Sequence, residues 1–455
     1  VKGLACWPLA LAACAGVEGT FDLALVTAPG STVLDDVTHA RLTLSNPRSV
    51  VEADRGSDGK FQLSLDVPAL GVLGDLTFEG FDASGARLAY GRTPALPVAA
   101  IDSAIAIYVA APGTLASAPV ELDPPRRDVG TAAFPFGVVV AGGLAADEPT
   151  DDVAVYNVYT HAWQLGVPLP APRAALTIGP SASGFAYLVG GVDDDGADTG
   201  TLWRFDTTAP PTTTGGPGGS FAILDDEPTL ARRGAAIALV ASEGFLVTGA
   251  PPVVVDGITR TLTAATTVPP LAGTATTVTA AVDGADALFA VFIGEGSGAS
   301  GLVRVAASGS TDEPDVPASA RRTGHGSVPT ADGRVIALGG AVAGVLTASA
   351  LVASPATRSY VEVAGVLATP RTGAAIAASN GLIVVAGGTD AGGAVVTDAE
   401  IIDVATLTRV ATVPLVVPRT GAVARPLANG QVLILGGVDA SGAAIATVEL
   451  FTPDP

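Results

Sequence analysis

The chain has 455 residues, with 44 acidic side chains against 23 basic ones, for a net charge of −21. Such a surface repels a phosphate backbone and excludes nucleic acid as a partner. Charged residues make up only 15% of the chain, while 56 glycines and 34 prolines without collagen periodicity point to a turn-rich all-β protein. Beyond the N-terminus no uninterrupted apolar run is long enough to span a bilayer. Methionine is absent even from position 1, which is read as an alternative start codon written as valine or as a chain shortened at its front.

Residues 1–13 hold one lysine, then an apolar stretch from Leu4 to Ala13, the layout of a secretory signal. The end of that stretch, Leu11-Ala12-Ala13-Cys14, resembles the lipobox of bacterial lipoproteins. The resemblance implies lipid attachment at Cys14 and residues 14–18 as a tether; an ordinary signal peptide or a buried strand is the competing reading. Cys6 leaves with the signal, so the mature chain has no thiol for a disulfide or a nucleophile. Alanine rather than aspartate at position 15 implies sorting to the outer membrane. The expected location is therefore the cell envelope, with the membrane a partner through the anchor.

Residues 19–113 alternate apolar and polar positions between turn signals such as Pro29-Gly30, Asp58-Gly59 and Ser84-Gly85. Candidate strands at 21–26, 40–44, 61–65, 76–81, 87–90 and 104–109 predict an immunoglobulin-like β-sandwich. His39, beside the second strand, has no neighbouring histidine and is read as a surface residue.

Residues 114–455 carry an internal repeat. Apolar runs ending in glycine, such as Val335-Ile-Ala-Leu-Gly-Gly340 and Val432-Leu-Ile-Leu-Gly-Gly437, recur with leading glycines at 142, 190, 249, 294, 339, 387 and 436. Steps of 45 to 59 residues, with about four short strands in each, are the signature of propeller blades. Turn dipeptides precede most of the runs, among them Asp332-Gly333, Asn380-Gly381 and Asn429-Gly430, so each unit opens with a hairpin. A third strand follows, as at 153–156, and a fourth marked by Trp163 or Tyr360. This order resembles the kelch repeat. The reading is a seven-bladed kelch-type β-propeller, or six blades if the weak units three and four form one. The last unit lacks a fourth strand, and residues 119–122 are expected to supply it and close the ring. The proline- and glycine-rich stretch 209–219 is read as a surface loop.

The kelch resemblance extends to copper radical oxidases, which need a cysteine–tyrosine crosslink and histidine ligands. The propeller has no cysteine and only His161 and His325, which rules that chemistry out. No cofactor or metal site is expected, and no catalytic residue can be named. Asp193-Asp194-Asp195-Gly196 lacks the spacing of a calcium loop, and similar turns at Asp390 and Asp439 favour plain turns. Glu295 is an isolated carboxylate without a nameable partner. Arginine precedes the first strand of most units, at Arg127, Arg173, Arg233, Arg322, Arg371 and Arg419, with Thr274 or a neighbour instead in unit four. These six form either an anion site at one channel mouth or ties between blades; ties are favoured because repeated residues do repeated work. The expected function is a lipid-anchored binding or scaffolding protein for an envelope protein or polysaccharide, the alternative being a carbohydrate-active enzyme of epimerase or lyase type.

Overall fold

The computed structural model describes residues 7–9, 22–63, 74–96, 104–181, 183–209, 218–235, 237–239, 244–248, 251–264, 277–282, 287–293, 301–306, 309–311, 322–354, 357 and 359–455. Cys14, Thr274, Glu295 and most of the stretch 209–219 lie outside these residues, as do Gly249 and Gly294. The described chain is almost wholly β; its one helical turn is Pro228–Leu230. None of the described helices is long and apolar enough to cross a membrane.

In the first 110 residues, two sheets face each other. One is antiparallel with four strands, ordered Arg48–Asp54, His39–Ser45, Leu76–Phe81 and Arg87–Arg92. The other pairs Asp22–Val26 in parallel with Ala104–Tyr108. Alternation explains the packing: Ala40, Leu42 and Leu44 point inward and are fully buried, while Arg41 and Thr43 point out. Leu23, Leu25, Ile105 and Ile107 meet Leu42, Leu76 and Phe78 in one core.

Two sequence expectations need correction in this half and at the junction, and a short strand lies within the expected signal. The strand beside His39–Ser45 is Arg48–Asp54, which the pattern reading missed, and residues 61–63 are not strand. Trp7–Leu9, read as part of a signal, pairs antiparallel with residues 23–25. Ring closure comes from Thr114–Ser117 rather than 119–122, in register with Glu449–Thr452.

Among the described residues, seven four-stranded antiparallel sheets follow in chain order, with one two-stranded and one three-stranded sheet beside them. Their first strands touch in succession, and the first strand of the last sheet, Val423–Pro426, meets that of the first, Gly130–Phe134. Units three and four give separate sheets, at 237–264 and 277–311. At the Asn380-Gly381 hairpin both residues have positive φ, 49° and 75°, as a type I′ turn demands. The sandwich docks on the last and first blades: Val26, Ala106 and Tyr108 share a core with Val138, Tyr156, Leu433 and Leu450.

Candidate functional site

At one end of the propeller, the segment entering each first strand lies against the segment leaving the glycine pair, as in the bridges Thr372 to Thr389 and Thr420 to Val438. In the six units whose entering segment is described, the residue at its tip has left-handed backbone: Asp128, Ala175, Gly234, Gly324, Gly373 and Gly421, with φ between 50° and 66°. These tips are linked in pairs by backbone hydrogen bonds, Ala175 N to Asp128 O, Gly234 N to Ala175 O, Gly373 N to Gly324 O and Gly421 N to Gly373 O. The mouth is therefore rimmed by main chain.

In these six units the arginine sits two residues before that tip. Counting back gives Arg126, Arg173, Arg232, Arg322, Arg371 and Arg419, so in units one and three the tie is one residue earlier than Arg127 and Arg233. In Arg126, Arg322, Arg371 and Arg419 the side chain is at most 1% exposed. Each donates from Nη1 to the carbonyl of its unit's leading glycine and to a carbonyl at the start of the third strand. Arg371 reaches Gly387 O at 3.2 Å and Asp398 O at 3.1 Å; Arg419 reaches Gly436 O at 3.3 Å and Thr447 O at 2.9 Å. Arg126 and Arg322 repeat the pattern on Gly142 and Asp152, and on Gly339 and Ser349. Arg232 takes Thr248 O at 2.6 Å and Pro251 O at 3.1 Å. Arg173 instead stacks over Trp203, 5.0 Å from the ring centre, and donates to Pro172 O.

The backbone of the same arginines joins neighbouring blades. Gly143, Gly191, Gly340 and Gly388 donate N–H to the carbonyls of Arg173, Arg232, Arg371 and Arg419 in the next unit. The fit explains the first glycine of each pair: at Gly387, φ is 63° and a Cβ would lie 2.1 Å from Arg419 O.

Two of the guanidiniums also meet buried carboxylates. Glu400 accepts from Arg371 Nη2 at 2.6 Å, from Arg409 at 3.1 Å, and from the N–H groups of Ala368 and Thr369. Glu449 accepts from Arg419 Nη2 at 2.7 Å and from Val416 and Val417 N–H. Burial holds the Arg419 guanidinium below its usual pKa, and Glu449 opposes that shift. Arg371 with Asp398 and Glu400 is thus an arginine with two carboxylates, but both Glu400 oxygens are committed to donors. Such closure suits a tie.

Arg233 is exposed and Arg127 half-buried. Arg127 pairs with Asp128 and Asp147, and Arg233 with Asp198 at 2.6 Å. The turns of Asp193, Asp390 and Asp439 stand at the same end. Each uses Oδ1 to accept N–H groups two and four residues on, such as Ser441 N and Ala443 N for Asp439. Their neighbours Asp147, Glu148, Asp194 and Asp195 are exposed, so this face is acidic.

His161 and His325 are buried, which lowers their pKa values to about 3 and about 4. His161 Nδ1 lies 2.9 Å from Tyr156 Oη. His39 is half-buried and pairs with Asp54. Sequence reasoning missed Arg425, whose Nη2 reaches Thr131 O across the seam between last and first blades. Nothing but its place in a first strand could have marked it.

Residues 370–410, which span most of the sixth sheet, match the Kelch motif family. The sixth sheet thus carries a kelch motif. The chain is also similar to a solved structure titled "Structure of YjhT", at 15% identity and a TM-score of 0.46, over 72% of this chain and 96% of that one. No curated protein matches the sequence.

Proposed function

We propose that this kelch protein is a lipid-anchored binding or scaffolding protein of the bacterial cell envelope, probing its partner with the propeller end that carries the acidic turns. The observation that carries the reading is the closure of the arginine sites. Arg126, Arg322, Arg371 and Arg419 hold carbonyls and carboxylates inside the blades, so the end they brace is rigid and its exposed chemistry is that of the turns. A rigid, largely preformed face suits recognition, because little ordering entropy is lost on binding. Of the two partner classes, an envelope protein with a basic patch fits the exposed Asp147, Glu148, Asp194 and Asp195 better than an acidic polysaccharide does. The lipobox-like Leu11-Ala12-Ala13-Cys14 supports the anchor.

Two experiments test the proposal. Cys14→Ser should release the protein from membranes into the soluble fraction; retention in the membrane after a high-salt wash contradicts anchoring. Pull-down from envelope extracts should recover a partner whose binding falls with added salt and with Asp194→Asn/Asp195→Asn. Recovery that is indifferent to both contradicts the acidic face as the contact.

A further inference from the structure

The outer face of the four-stranded sandwich sheet is hollowed into a cavity of about 690 Å³. That lies within the range of about 300–1,000 Å³ usual for small-molecule sites. Strand register places its side chains in rows. Glu52, Arg41, Glu79 and Tyr90 form one row across the four strands, and Val50, Thr43, Thr77 and Arg92 the next. Arg48 and Ser45 begin a third.

The polar groups are held in place by one another. Arg41 Nε donates to Glu52 at 2.6 Å, and Arg87 Nη1 to Glu79 at 2.9 Å. Arg92 Nε donates to Asp75 at 2.7 Å, and Asp75 also accepts from Ser45 Oγ at 2.7 Å. Burial works to raise the Asp75 carboxyl, yet the Arg92 and Ser45 hydrogen bonds bring it below the usual range. Fixed donors and acceptors of this kind match the hydroxyls of a sugar without an ordering cost. The floor is hydroxyl rather than apolar, and among the described residues the Thr43 hydroxyl has no hydrogen-bond partner.

Charge narrows the ligand further. Three of the four arginines that line the cavity are balanced by acids, Arg41 by Glu52, Arg87 by Glu79 and Asp454, and Arg92 by Asp75, which leaves Arg48 as the open charge. Arg48 is exposed and has no acidic partner among the described residues. A guanidinium fork open at the rim of a hydroxyl floor is suited to a planar carboxylate. A peptide strand would need apolar pockets for its side chains, and Val50 is the main exposed apolar group here.

We infer that this groove is a second binding site, for a carboxylate-bearing saccharide such as a uronate-containing glycan. Arg48 takes the carboxylate, and Thr43, Thr77 and the ion-paired arginines and glutamates take the ring hydroxyls. The site is separate from the acidic propeller end, so its failure would leave the propeller reading standing.

Calorimetry on the full chain tests it, with short oligomers of galacturonate, mannuronate and hyaluronan as probes. At least one should bind, and its methyl ester should bind about tenfold more weakly, as should the acid form to Arg48→Ala, for loss of one charged hydrogen-bond pair. Thr43→Val should weaken the methyl ester and the acid alike. Arg48 is exposed and unpaired, so Arg48→Ala should melt with the unaltered protein, and melting curves check this. Three results would overturn the assignment: no binding of any probe, binding unchanged by Arg48→Ala, or displacement of the saccharide by an equal concentration of inorganic sulfate.

Discussion

Ring closure by Thr114–Ser117 can be tested to the single residue. Ala118 N donates to Val448 O, so in this ladder the N–H groups of Ala116 and Thr114 also point at the last blade, while that of Ser117 points away. Proline at 116 removes the bond to Leu450 O. Leu450 is fully buried, so its carbonyl would be left without a partner. A lost bond of about 1 kcal/mol and an unsatisfied buried carbonyl of about 1–3 kcal/mol together give about 2–4 kcal/mol. Ser117→Pro removes no ladder bond and leaves the Ser117 carbonyl free to accept from Tyr108 Oη, and it should cost under about 1 kcal/mol. Val120→Pro should also be mild, since Val120 lies outside the closing strand and is exposed. Urea unfolding followed by tryptophan fluorescence measures all three. If Val120→Pro lowers the midpoint and Ala116→Pro does not, residues 119–122 close the ring and the register given above is wrong.

Arg126→Ala should destabilise the protein by about 3 kcal/mol, because two carbonyls lose a charged donor, whereas Arg127→Ala should change stability by under about 1 kcal/mol. Equal losses for the two in urea titrations would refute the shift of register. His161 and His325 titrate at ordinary values when unfolded but near 3 and 4 when folded, so the unfolded chain binds more protons between pH 6.5 and those values. Stability should therefore be full above about pH 6.5 and fall as the pH drops toward 4. His161→Asn, which accepts the left-handed backbone there, should flatten part of that fall; an unchanged pH profile would contradict it.

Much of the propeller was legible because its physics repeats. A glycine pair after an apolar run marks where each second strand ends against the next blade's arginine carbonyl, and only glycine fits there. The closing strand was harder: Thr114-Leu-Ala-Ser117 does not alternate whereas 119–122 does, and only the partner strand decides between them. Arg48–Asp54 was overlooked because its inward residues Val51 and Ala53 are few and its outward ones, Val50 apart, are charged, so it resembles a loop. The arginine ties were seen as a series but misplaced at the doubled arginines 126–127 and 232–233. Aligning on the left-handed residue, glycine in most units but Asp128 and Ala175 in two, places them; nothing in the sequence says that Asp128 is left-handed. That arginines are buried at all depends on carbonyls 16 to 28 residues away.

The central claim is that the arginines brace the propeller and do not bind anions. Thermal unfolding of Arg371→Ala with and without an acidic oligosaccharide tests it most directly. The account predicts a lower melting temperature for the variant and a ligand-induced rise equal to that of the unaltered protein. A rise that disappears in Arg371→Ala and again in Arg322→Ala, with the unliganded variants as stable as the parent, would contradict it.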